Sequence, residues 1–248
     1  MPPKIRKLWI VCNLIVVFGF LYLSLQNLVV KEREKEERVS QAARQASAAK
    51  ESKPGTGQTF KTDPLKDIRE LNAQGQYDEA AKLAESVAAL NPDHPKVYTW
   101  WGISLVKNGK KKEAIEKFVR AADLDSTYSK TFLYWGLTLV MDGKPKEAIA
   151  KYKKVIALEP ENSNAYAYWG AALGQLDQHE QAVEKLERAL EIQPKNANVF
   201  GVLVDSLYHL KKYREAWRVV KKAQEAQVTI PENSLKRLEE VLSEPAGM

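Results

Sequence analysis

The chain has 248 residues, a formal net charge of +6 and a single cysteine, Cys12. The excess charge is local: residues 1–60 hold 10 Lys/Arg against 5 Asp/Glu, while residues 61–248 hold 28 against 27. A near-neutral body lacks the basic stripe a nucleic-acid binder needs, and one cysteine excludes a disulfide framework or a Cys-rich metal site.

Residues 1–7 form a basic tail with Lys4, Arg6 and Lys7, and residues 8–30 then run for 23 positions without a charge. A bilayer core needs about 20 apolar residues of helix. No A-x-A-like cleavage site follows, so the run is predicted to be an uncleaved, single-pass transmembrane helix contacting the lipid bilayer. Its orientation is open. Counting only Lys/Arg on the short flanks puts the C-terminal side in the cytoplasm. A long folded domain translocates regardless of charge, and the reading adopted is N-terminus inside with the rest outside the cytoplasm, in a periplasm-like space. Residues 31–60 read as a charged helical stalk and linker, rich in Glu, Lys, Arg and Ala. Pro54, Gly55 and Gly57 interrupt it.

Beyond residue 60 the chain repeats. Trp100-Trp101-Gly102, Tyr134-Trp135-Gly136 and Tyr168-Trp169-Gly170 recur at an interval of 34 residues. With positions numbered 1–34 from residue 61, five units follow: 61–94, 95–128, 129–162, 163–196 and 197–230. Position 4 is Tyr98, Phe132, Tyr166 and Phe200 in units two to five. Position 11 is Leu71, Leu105, Leu139, Leu173 and Leu207. Position 20 is Ala80, Ala114, Ala148, Ala182 and Ala216. Position 24 is Ala84, Phe118, Tyr152, Leu186 and Val220.

These residues resemble the tetratricopeptide repeat (TPR), a 34-residue helix-turn-helix unit with the pattern W-x2-L-G-x2-Y…A-x3-F…P. The terminal proline matches at Pro92, Pro160 and Pro194 and is replaced by Ser126 and Val228. The predicted fold class is therefore all-α: a solenoid of about five helix pairs, A and B, preceded by the transmembrane helix and stalk. Leu235, Leu238 and Leu242 predict an amphipathic C-terminal capping helix over residues 231–243. Positions 4, 7, 8 and 11 share one face of helix A. Gly at position 8 and Ala at position 20 predict close approach of A and B. Gly75, Gly109 and Gly143 at position 15 fit the A–B turn. The first and fifth units depart from the pattern, as end repeats with one face toward water do.

The resemblance implies a concave groove lined by helix A positions 2, 5, 9, 12 and 13. In the second unit these are Lys96, Thr99, Ile103, Val106 and Lys107; in the third, Lys130, Leu133, Leu137, Val140 and Met141. In the fourth they are Asn164, Ala167, Ala171, Gly174 and Gln175, and in the fifth Asn198, Gly201, Asp205, Tyr208 and His209. The third unit offers an apolar strip, the fourth small residues that leave room for a side chain, and the fifth a polar end. The expected ligand is a helix or extended segment of a protein partner. The competing expectation is that neighbouring helices, or the chain's own C-terminal helix, cover these residues. The lysine and asparagine clamp of some family members is not carried over, because position 9 holds Ile103, Leu137 and Ala171 rather than Asn. Lys110, Lys111, Lys112, Lys144, Lys146, Lys212 and Arg214 mark a basic edge at the A–B turns, read as a solvated surface.

The sequence has no P-loop, G-x-S-x-G or H-E-x-x-H motif. Asp205 and His209 lie one helical turn apart, but no nucleophile accompanies them. The reading is a membrane-anchored TPR scaffold, not an enzyme, with no cofactor, metal or nucleic acid. The alternatives are a self-assembling structural protein and an accessory subunit presenting substrates to a membrane enzyme.

Overall fold

Asp63 and Pro64 open the ordered array. The Asp63 carboxylate accepts the Leu65 N–H at 3.0 Å, and Pro64 supplies a preset φ where no helical N–H is needed. The computed structural model describes residues 63–242. The predicted span at 8–30 and stalk at 31–60 lie outside these residues. Among the described residues, no helix is long and apolar enough to cross a membrane.

Eleven helices follow, with no strand among the described residues. They are α1 (Pro64–Ala73), α2 (Tyr77–Leu90), α3 (Pro95–Lys107), α4 (Lys111–Leu124), α5 (Ser129–Met141), α6 (Pro145–Leu158), α7 (Ser163–Gly174), α8 (His179–Ile192), α9 (Ala197–His209), α10 (Tyr213–Glu225) and α11 (Glu232–Val241). Odd-numbered helices up to α9 are A helices, and the even-numbered ones are their B partners. Each A helix after the first also packs against the preceding B helix, and neighbouring A helices touch one another.

All five A–B turns close in the same way. The residue at position 15 has positive φ: Gly75 at 79°, Gly109 at 79°, Gly143 at 75°, Asp177 at 56° and Lys211 at 59°. The next N–H returns to the position 11 carbonyl, as in Gln76 to Leu71 at 2.9 Å and Lys212 to Leu207 at 2.9 Å. The position 15 N–H reaches the position 12 carbonyl, as in Gly109 to Val106 at 3.0 Å. This paired closure satisfies the last helical carbonyls. Sequence finds it at the three glycines. Asp177 and Lys211 adopt the same geometry without that signal.

Helices A and B touch where the pattern places its small residues. A Cβ built on Gly102 would sit 2.6 Å from the Phe118 ring, on Gly136 2.5 Å from the Tyr152 ring, and on Gly170 2.6 Å from Leu186. The five position 20 alanines are fully buried. The end units keep this contact by exchanging sizes. Ile68 faces the first unit's core with Ala84, and Val204 shares the fifth unit's core with Val220. Their departure from the pattern is thus a volume-conserving swap across the A–B interface, rather than only an effect of solvent at the ends.

The terminal helix α11 packs on α9 and α10. Leu238 is fully buried, Leu235 and Leu242 pack against the same core, and the Trp217 indole N–H donates to the Leu242 carbonyl at 2.8 Å.

Candidate functional site

The A helices stand side by side, so each presents a strip to the same face. Which residues on that strip remain accessible depends on the neighbouring A helix. Thr99 is fully buried; its hydroxyl and that of Thr131 lie 2.7 Å apart across the α3–α5 junction. Ile103 is in the core with Phe118, against Trp135. Ala167 is buried in the core of the last two units. These three predicted groove residues are therefore withdrawn from the surface, because the following A helix leans over positions 5 and 9.

The other predicted positions keep some exposure in every unit. Lys96, Lys107, Met141, Gln175, Asn198 and His209 are exposed, whereas Val106, Lys130, Leu133, Leu137, Val140, Asn164, Ala171, Gly174 and Tyr208 are partly buried. Leu133 and Val140 lean into the core around Tyr152. Met141 is 51% exposed. Asn164 is tied to the next unit: its amide oxygen accepts from Asn196 at 3.1 Å and from Asn198 at 3.3 Å.

The polar end of the face is already occupied. Pro231 lies against Gly201, so a Cβ there would meet its ring at 2.9 Å. Arg237 of α11 donates to Asp205 at 2.6 Å and lies over the Tyr208 ring. His209 stacks on His179, with centroids 4.4 Å apart and planes 2° from parallel. Asp205 and His209 thus engage separate partners and form no acid–base pair. The accessible face lies mainly on α1, α3, α5 and α7.

Position 6 contributes what the groove prediction left out. Trp100, Tyr134 and Tyr168 are partly exposed, and helical spacing puts them between positions 2 and 9. They form an aromatic line along the face. Tyr128, from the loop before α5, joins its amino-terminal end. Burial raises the Tyr128 pKa, opposed by the Arg69 charge and by a hydrogen bond from the Trp100 indole. Burial also raises Tyr168, and Tyr134 adds to the shift. Lys130 Nζ lies 4.9 Å from the Trp100 ring centroid, and Lys96 Nζ lies 5.5 Å from that of Tyr128. Arg69 occupies position 9 of the first unit, which that prediction did not include.

The other Trp of each triplet builds the scaffold. Lys117, Lys151 and Lys185, all at position 23 of a B helix, sit 4.0, 3.5 and 4.9 Å from the ring centroids of Trp101, Trp135 and Trp169. This lysine-on-tryptophan contact repeats in register and tethers B to A. Burial lowers the Lys151 pKa. Tyr152, below Gly136, is shifted strongly upward by its own burial. No group of three or more His, Cys, Asp or Glu residues placed to hold a metal occurs among the described residues.

Comparison with known families agrees with this geometry. A family model described as tetratricopeptide repeat matches residues 68–129. A second, described as anaphase-promoting complex, cyclosome, subunit 3, matches residues 141–223. The chain belongs to the tetratricopeptide repeat family. Similar solved structures include MamA residues 41 to the end from Desulfovibrio magneticus RS-1, at 20% identity and TM-score 0.59, covering 67% of this chain and 96% of that one. MamA of MSR-1 is 26% identical at TM-score 0.56, covering 66% and 94%. PilF of Pseudomonas aeruginosa is 19% identical at TM-score 0.65, covering 73% and 83%. The search of curated proteins found no match.

Proposed function

We propose that this TPR protein is a scaffold that binds a segment of a protein partner along its helix-A face and holds the complex at a membrane. The observation carrying this reading is the accessible apolar and aromatic line Trp100, Tyr134, Leu137, Met141 and Tyr168. Such a surface gains from losing water when a partner covers it. The uncharged run at residues 8–30 supports the membrane attachment.

The test targets side chains outside the fully buried core. Leu137→Glu with Met141→Glu in the full chain should abolish recovery of cross-linked partner proteins from native membranes, while the helical circular dichroism stays unchanged. Undiminished recovery of the same partners would exclude the groove as their site.

A further inference from the structure

The outer faces of the B helices carry their charge in stripes. Positions 20, 24 and 27 of a B helix turn inward, as the buried Ala182, Leu186 and Ala189 do on α8 and Ala216, Val220 and Ala223 on α10. Positions 18, 22, 25 and 29 leave the opposite side of the helix by helical spacing. On α8 these are Glu180, Glu184, Glu187 and Glu191, and on α10 they are Arg214, Arg218, Lys221 and Glu225; all are exposed. On α6 the same positions read Lys146, Ala150, Lys153 and Ala157. An acidic stripe thus has a basic stripe on the B helix at either side.

These opposite stripes do not neutralise one another. Helices α8 and α10 both pack on α9, and neither a backbone contact nor an ion pair joins α8 to α10 among the described residues. The ion pairs of α8 are internal: Glu184 meets Lys185 at 2.7 Å and Glu191 meets Arg188 at 2.8 Å. Glu215 of α10 meets Lys212 at 3.8 Å. Glu180, Glu187, Arg214, Arg218 and Lys221 are left without an ion-pair partner among the described residues. The repeat also sets their levels. Equivalent positions of successive units stand at corresponding heights along their helices, so Glu180 is level with Arg214, Glu184 with Arg218 and Glu187 with Lys221.

We infer that α8 and α10 together form a self-complementary surface for a second copy of this chain. A two-fold axis running between the two helices and along them lays α8 of each copy on α10 of the other. Glu180 then faces Arg214, Glu184 faces Arg218 and Glu187 faces Lys221, and the symmetry makes each pairing twice. The one like-charged meeting, Glu191 with Glu225, is softened because Arg188 already holds Glu191. A uniformly charged partner, such as an anionic lipid surface or a polybasic segment, is drawn by one stripe and repelled by the other. Helix α6 matches α8 less well, because Ala150 and Ala157 interrupt its lysines. A single exposed ion pair adds little, whereas several acting as a network add more, and the association weakens as salt screens them. The surface shares no residue with the helix-A face, so self-pairing and partner binding are separable.

The experiment follows energy transfer between donor-labelled and acceptor-labelled copies of the full chain, in detergent micelles in excess over protein. Transfer should saturate with protein concentration and fall by about half or more between roughly 50 and 500 mM salt. Glu180→Lys with Glu187→Lys, and separately Arg214→Glu with Lys221→Glu, should each weaken association by about tenfold or more, with helical circular dichroism unchanged. The milder Glu180→Gln with Glu187→Gln should weaken it by less, in the same direction. Mixing the two charge-reversed variants should restore association, because each offers the charge that the other has lost. Loss in both variants without restoration on mixing overturns the pairing. Association that neither variant affects places the contact elsewhere on the chain and overturns it too. Restoration of the α8 variant by Lys146→Glu with Lys153→Glu, and not by the α10 variant, moves the contact to α6 and overturns the assignment. Absence of saturable transfer overturns the proposal outright.

Discussion

At the scale of the residue, the A–B contact depends on missing atoms. Gly136 faces the fully buried Tyr152 ring, where an added Cβ would lie 2.5 Å from Cε1. Alanine gains about 1 kcal/mol in helix propensity over glycine, but forcing a methyl into a packed core costs about 1–3 kcal/mol. The clash wins because the ring has no space into which it can retreat. Gly136→Ala should therefore lower the urea midpoint, and the same change in a Tyr152→Ala background should raise it. Lys211 presents the reverse case. It holds a φ of 59° in the fifth A–B turn, where three other units use glycine. Lys211→Gly should stabilise the chain by about 0.5–1 kcal/mol, since left-handed backbone is costly for any residue with a Cβ. Thermal unfolding followed by circular dichroism checks the sign. Asp177 is a less clean site, because its carboxylate lies 3.8 Å from His179.

At the scale of the element, α11 acts as both a cap and a cover. It buries Leu238, takes the Trp217 N–H through the Leu242 carbonyl, and neutralises Asp205 through Arg237. Ending the chain at residue 230 would expose the α9–α10 core and leave Asp205 unpaired. Amide hydrogen exchange should then accelerate across Ala197–Glu225 and remain nearly unchanged across Pro95–Leu158, because each unit in an array is stabilised by its own packing and by its neighbours. Uniform acceleration along the whole array would show instead that it unfolds as one block. The amphipathic pattern of Leu235, Leu238 and Leu242 revealed this helix in the sequence. Its contact with Asp205 was not legible, because nothing local indicates that Arg237 would reach a carboxylate on another helix.

At the scale of the whole molecule, the repeat made the architecture legible and left the binding face only partly so. A period of 34 residues imposes the same local physics on each unit: small at position 20, a turn at position 15 and apolar residues at helical spacing, with glycine at position 8 in the three central units. The helical class, the A–B contact and the scaffold role of Trp101, Trp135 and Trp169 follow from that pattern alone. So do the charge-free run at residues 8–30 and the scarcity of acid on α3, α5 and α7, which are properties of composition. The tertiary structure decided which helix-A residues meet solvent. It buried Thr99, Ile103 and Ala167, covered Gly201 and Asp205, and left Trp100, Tyr134 and Tyr168 accessible. It also brought Lys96 over the Tyr128 ring and Lys130 over the Trp100 ring. The physical reason is that a residue's exposure is set by the helix packed across from it, roughly one repeat away in sequence, while spacing within a helix fixes only the direction in which a side chain leaves the backbone.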